Sequence, residues 1–302
     1  MPPAYEAIDD TAMHTDSRPD AATRRREAAV PAWSYFAGSA VFHYLGPSFA
    51  VLLFARVGPL GVAGLRIWSA AIFFAVWRRP WRLLAGSATD RRLVAGWGLV
   101  LALMNGCFYL AIARLPLGTV AAIEYLPVIA LAALGARTPR NLAALVAAVG
   151  GVYVLTDVRL TGQPLGFVFA FANAGLFAAY IVIAHRAARR SVSGVDGLAA
   201  AMLVAGVLVI PLGAWQAAPA FTDPVALGAG IGVGISSSVI PYVCDQLAMA
   251  RMARSTYALL VALLPATATV VGVVVLSQIP SPAEIAGVAL VIAGVALHRE
   301  PR

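Results

Sequence analysis

Arg66, Glu124 and Asp245 are ionisable residues set inside long apolar stretches of this sequence. A charge in such surroundings costs about 3 kcal/mol or more and persists where it binds something, moves a proton or is compensated by a partner. Arg66 and Glu124 each lie about seven or eight residues into their stretch from the same side, or roughly 10–12 Å at helical rise. Equal depth predicts an Arg66–Glu124 ion pair. It reads in two ways: a charged cavity wall that takes an amino acid's carboxylate or ammonium or passes a proton, or a pair that only neutralises itself. Glu124 is therefore a candidate coupling group. Asp245 precedes Arg251 and Arg254, so it is either a gate or entry group on that face or half of an interfacial salt bridge.

Neutral polar groups surround these charges. His43 lies in FHYLGP, where Gly46 and Pro47 loosen the backbone; it reads as a proton carrier or as a packed neutral ring. Asn105 and Tyr109 are one helical turn apart and share a face. Tyr180 and Tyr242 add hydroxyls, and Asn173 and Ser236 to Ser238 are also near mid-stretch. The candidate binding set is His43, Arg66, Asn105, Tyr109, Glu124, Tyr180 and Tyr242, with Trp68 and Phe108 as apolar walls. The alternative is that these polar groups join helices and the aromatics pack. No metal or cofactor is expected: His14, His43, His185 and His298 are scattered without paired spacing. The glycine-rich run 228–234 lacks the strand and lysine of a nucleotide loop. Cys107 and Cys244 lie in apolar stretches and read as packing residues.

The elements that carry these residues follow from composition. Of 302 residues 61% are hydrophobic and 12% charged, half the charge of an ordinary soluble protein. Mean hydropathy is +0.83. This excludes a disordered chain, a disulfide-rich module and an ordinary cytosolic enzyme. Residues 1–31 are polar, with six acids and four arginines, and read as a disordered cytoplasmic tail without the order of a signal peptide. Ten apolar runs follow, at about 32–54, 58–77, 93–113, 117–136, 141–156, 163–185, 196–215, 225–247, 256–277 and 283–298. Most approach the roughly 20 residues that cross a bilayer, and they lack the alternation of barrel strands. The expected fold is all-α, a polytopic membrane protein of ten transmembrane helices.

All 22 basic residues are arginine. With both termini cytoplasmic, eighteen fall on the inside and only Arg56, Arg114 and Arg159 outside, Arg66 being within a span. The positive-inside rule favours that orientation in a cell membrane. The +8 net charge thus records topology and predicts no nucleic-acid partner. The chain also repeats: CFYLAIAR at 107–114 matches CDQLAMAR at 244–251, and Pro127 and Pro265 correspond. Two units of five helices, 32–156 and 163–298, would have opposite orientations, the inverted-repeat plan of many secondary transporters.

MNGCFYLAIARLPLGTVAAIEYLP at 104–127, GLRIW at 64–68 with RRPWR at 78–82, and SSVIPYVCDQLAMARM at 237–252 resemble the EamA family of the drug/metabolite transporter superfamily, nearest to its threonine/homoserine exporter branch. Leu264 and Ser277-Gln278 stand where members often carry acids. The resemblance implies ten helices, an inverted repeat and export of small metabolites from a bacterial inner membrane. The leading expectation is a secondary transporter of amino acids or related solutes, driven by a proton or solute gradient. A membrane-embedded enzyme and a non-transporting assembly protein are the alternatives; short loops without a nucleophile/base set argue against the first, and buried charge against the second. The oligomeric state is left open.

Overall fold

The computed structural model describes residues 31–297 except 136–137, 160–162, 189, 191, 193, 250, 252–259 and 261–262. The polar tail up to residue 30, Arg254 and residues 256–259 of the ninth run therefore lie outside the described residues. Among the described residues every regular element is a helix. The helices of more than one turn are α1 (Ala32–Leu53), α2 (Pro59–Arg78), α3 (Ala88–Ile112), α4 (Leu117–Gly135), α5 (Pro139–Arg159), α6 (Pro164–Ala188), α7 (Gly194–Leu208), α8 (Ile210–Ala217), α9 (Pro224–Gly234), α10 (Ile240–Met249), α11 (Leu264–Leu276) and α12 (Pro282–Leu297), with single turns at Trp81–Leu84 and Ala218–Phe221. Helix thus occupies each of the ten apolar runs. Among the described residues five helical stretches are long and apolar enough to cross a membrane, and α7 with α8 makes a sixth if that bent pair is one span.

Local chemistry explains the boundaries. Pro59, Pro139, Pro164, Pro224 and Pro282 open their helices, where a missing N–H costs nothing and a fixed φ helps. Ser87 caps α3 by accepting from the Asp90 N–H at 3.1 Å, and Asp223 caps α9 by accepting from Val225 and Ala226. Arg79 and Ser277 end α2 and α11 in left-handed conformation. Pro211 cannot donate to the carbonyl of Val207 one turn earlier, and the chain bends by 65° between α7 and α8.

Helices before residue 160 pack chiefly on helices after 163: α5 on α12, α3 on α6 and α7, α2 on α7, α8 and α9, α1 on α10 and α11, and α4 on α6 and α11. Leu65, Tyr109, Leu117 and Ile123 belong to one core cluster, Phe74, Trp97, Leu101 and Met202 to a second. Ile72, Val76, Val146, Tyr153 and Val274 are exposed, as an apolar solvent requires. Ion pairs join the halves at the helix ends, Arg56–Asp223 at 2.8 Å and Arg78–Asp196 at 2.6 Å.

Candidate functional site

The site begins at a break in helical hydrogen bonding. Between α9 and α10 the backbone of Ile235–Val239 widens into a π-helical turn, a feature frequent at functional sites. Pro241 follows and cannot donate to the carbonyl of Ser237 four residues before it. Arg66, from α2, supplies a donor: its Nη2 donates to that carbonyl at 3.1 Å and its Nε to Ser238 Oγ at 3.0 Å. Gly234 permits the approach, since a Cβ there would collide with Ser69 Oγ and the Arg66 carbonyl. The guanidinium carbon also sits 5.6 Å from the Tyr109 ring centre, a cation–π distance.

Glu124, on α4, is 8% exposed. Its Oε1 accepts from Asn173 Nδ2 of α6 at 3.1 Å. The expected Arg66–Glu124 ion pair is therefore not made: the arginine turns to the π turn and the carboxylate to an amide. Equal depth did not fix the direction each side chain takes around its helix. Arg66 still acts electrostatically on Glu124, Tyr109, Tyr242 and His43, so these groups share one polar centre. Glu124 in turn acts on Tyr44, Tyr125 and Tyr242.

The buried hydroxyls of Tyr44 and Tyr109 lie against Tyr125 and against Arg66 and Ser237, and Asn173 Oδ1 is buried without a hydrogen-bond partner. Native proteins rarely leave such atoms unsatisfied. Tyr180 and Tyr242 approach one another and lie half-buried. Phe177 stacks on Tyr180 and meets Tyr125 edge-on, giving an aromatic wall. His43 is half-buried, edge-on to Tyr44. Asp245 acts on Tyr125, Tyr180 and Tyr242, which puts it below the same aromatic cluster. Arg251 is turned elsewhere, donating to the Leu247 carbonyl and covering the Tyr35 ring. Asn105 shares a face with Tyr109 but donates back to the Leu101 carbonyl at 2.9 Å, so its amide nitrogen is held by its own helix. Trp68 donates to the Gly206 carbonyl at 2.8 Å and joins α2 to α7. Tyr44, Tyr125 and Asn173 complete the centre, and only Asn173 carried a sequence signal, as a mid-run amide. Among the described residues no group of three acidic, histidine or cysteine side chains is arranged to hold a metal ion.

Residues 164–299 match the EamA-like transporter family. Over 270 residues the chain is 31% identical to the threonine/homoserine exporter RhtA of Salmonella typhimurium (strain LT2), covering 85% of this chain and 89% of that protein. The chain belongs to the EamA-like transporter family. RhtA of Escherichia coli (strain K12) is likewise 31% identical over 256 residues, covering 82% of this chain and 84% of its own. A protein crystal structure superposes on this EamA-like chain with a TM-score of 0.55 at 20% identity, covering 87% of it and 95% of the other, which shows a shared fold. Family membership and the apolar helices together make this a multi-pass membrane protein.

Proposed function

We propose that this protein exports a small zwitterionic amino acid of the threonine/homoserine class by alternating access through ten transmembrane helices. The observation that carries the reading is one buried centre with two opposite charges that do not neutralise each other by contact. Arg66 spends two of its five N–H groups on Ser237 and Ser238, and its second Nη2–H with a parallel Nη1–H suits a carboxylate. Glu124 Oε2 and the unpartnered Asn173 Oδ1 are acceptors, suited to an ammonium. The buried Tyr44 and Tyr109 offer hydroxyls suited to a small polar side chain. His43, Tyr180 and Tyr242 line the approach, Asp245 faces the cytoplasmic side, and Asn105 orders α3 behind Tyr109. The relatives' printed activity supports the substrate class. The arginine distribution supports cytoplasmic termini in an inner membrane, and the matched motifs of 107–114 and 244–251 support two inverted five-helix units, 32–156 and 163–298. Nothing in this reading calls for an enzymatic step.

Coupling follows from exclusion. The Glu124 carboxylate can hold an ammonium or a proton but not both, which suffices to exchange one for the other. The test uses purified protein in liposomes loaded with labelled threonine or homoserine. The expected result is exchange of either amino acid, accelerated by a proton gradient. Glu124→Gln is expected to cut flux at least tenfold and abolish the dependence on that gradient, with expression unchanged. Failure of the wild type to move any small amino acid would overturn the substrate, and proton-driven flux through Glu124→Gln would overturn the coupling.

A further inference from the structure

Two glutamines from the second half of the chain cap two helices of the first. Gln216, at the end of α8, accepts through Oε1 from the Leu60 N–H at 2.9 Å and the Gly61 N–H at 3.4 Å. Gln278, just past α11, accepts through Oε1 from the Leu117 N–H at 3.1 Å. The receiving sequences are identical, Pro59-Leu60-Gly61 and Pro116-Leu117-Gly118, and each begins a helix. A helix start exposes N–H groups that need acceptors; Pro59 has none to satisfy and Gly58 offers no side-chain cap. The acceptor therefore comes from across the halves.

The glycines in these motifs set the approach. A Cβ on Gly61 would collide with the Gln216 backbone, and one on Gly118 with Thr269. Gln278 is aimed by an uncommon backbone: Ser277 adopts φ 54°, a left-handed state costly for a residue with a side chain. The turn returns the Gln278 N–H to the Gly272 carbonyl at 3.1 Å and leaves the amide pointing at α4. A cavity of about 30 Å³ lies beside it, lined by Thr119, Thr269, Gln278 and Glu284, room for one water. Both contacts lie at the end of the bundle that also carries Arg56 and Asp223, the outer end in the topology proposed above.

We propose that Gln216 and Gln278 are paired latches that hold the outer gate shut, and that both bonds break when the central site opens outward. Each joins a helix of the amino-acid-binding centre (α2 with Arg66, α4 with Glu124) to the opposite half, so the halves cannot part at that end while the bonds persist. The inference rests on the alternating-access reading. A neutral hydrogen bond contributes a factor of about five to such an equilibrium, and the pair therefore about thirtyfold.

The test measures opening without transport. In a Cys107→Ser, Cys244→Ser background, spin labels are placed at exposed Ala55 and Ala218, and separately at Ala113 and Ile279, and distances are read by double electron–electron resonance in nanodiscs. The ratio of long to short distances is expected to rise about fivefold in Gln216→Ala or Gln278→Ala and about thirtyfold in the double variant. Gln216→Glu with Gln278→Glu keeps an acceptor, favoured by the positive end of each helix, and is expected to match or fall below the wild-type ratio. An unchanged ratio in the double alanine variant, at unchanged melting temperature, overturns the latches; so does an equal rise with glutamate. Wild-type protein that opens as expected yet moves no amino acid would overturn the exporter reading and leave the latches standing.

Discussion

Replacing Arg66 by lysine keeps the charge and removes the geometry. The arginine has five N–H donors in one plane. Nε is held by Ser238 and one Nη2 hydrogen by the Ser237 carbonyl, so the parallel fork left for a substrate carboxylate is the second Nη2 hydrogen with one Nη1 hydrogen. A lysine has three donors on one nitrogen. If it keeps one contact to the π turn, it meets the carboxylate with a single bond where arginine makes two. A charge-assisted hydrogen bond contributes about 2 kcal/mol, which is about thirtyfold in affinity. The assay is counterflow in liposomes with threonine and with threonine amide, whose carboxylate is blocked. Arg66→Lys is expected to raise the KM for threonine about thirtyfold and to leave weak transport of the amide unchanged, erasing the wild-type preference between them. A threonine KM within twofold of wild type, or an equal loss with both compounds, would refute the assignment of Arg66 to the carboxylate.

Two further outcomes follow from the same geometry. Pro241→Ala restores the N–H that the Ser237 carbonyl lacks, so the helix competes with Arg66 for that oxygen. Transport is expected to drop about tenfold, in line with about 1.4 kcal/mol of lost anchoring, while the melting temperature holds or rises; full activity would show that Arg66 does not depend on the freed carbonyl. At the rim, the Ala226 N–H first, and then the Arg56 guanidinium, hold the Asp223 carboxyl below its ordinary 3.8. The stability it contributes is complete above that value and is lost as pH falls through the lower folded one. Melting curves of wild type and Asp223→Asn are expected to differ near neutral pH, to begin converging as pH falls below about 4, and to meet only below the lowered folded value; parallel curves throughout would sink the account.

Much of the architecture can be read from the residues because it depends on hydrophobicity along one dimension. Each apolar run carries helix, and Pro211 marks the site of the bend. Arg66 and Glu124 were conspicuous because charge in an apolar run has few innocent explanations. Their partners were not legible. Depth along a helix follows from counting, but azimuth follows from packing, so equal depth suggested an ion pair where the side chains turn to Ser237 and Asn173. Asn105 looked available and is spent on its own backbone. Gln216 escaped notice because a neutral side chain at the end of an apolar run resembles any loop residue, and Gln278 stood out only as a place where members often carry an acid, with nothing to show that it caps a helix. The repeated Pro-Leu-Gly is the mark of the two contacts in the sequence.

The bend between α7 and α8 also sets a dimension. Val195–Leu208 and Ile210–Phe221 laid end to end would reach about 39 Å at helical rise. Turned by 65°, the second piece adds only about 8 Å along the first, for about 29 Å in all. That equals the roughly 30 Å hydrocarbon thickness of a bilayer. With the first piece along the bilayer normal, the second would lie closer to the membrane plane, with exposed Trp215 and Phe221 suited to the headgroup boundary. As one span, the bent segment matches its reach to the hydrocarbon thickness by angle and not by length. Gln216 rides on the second piece, so a change in the bend angle would bear directly on its hydrogen bond to Leu60.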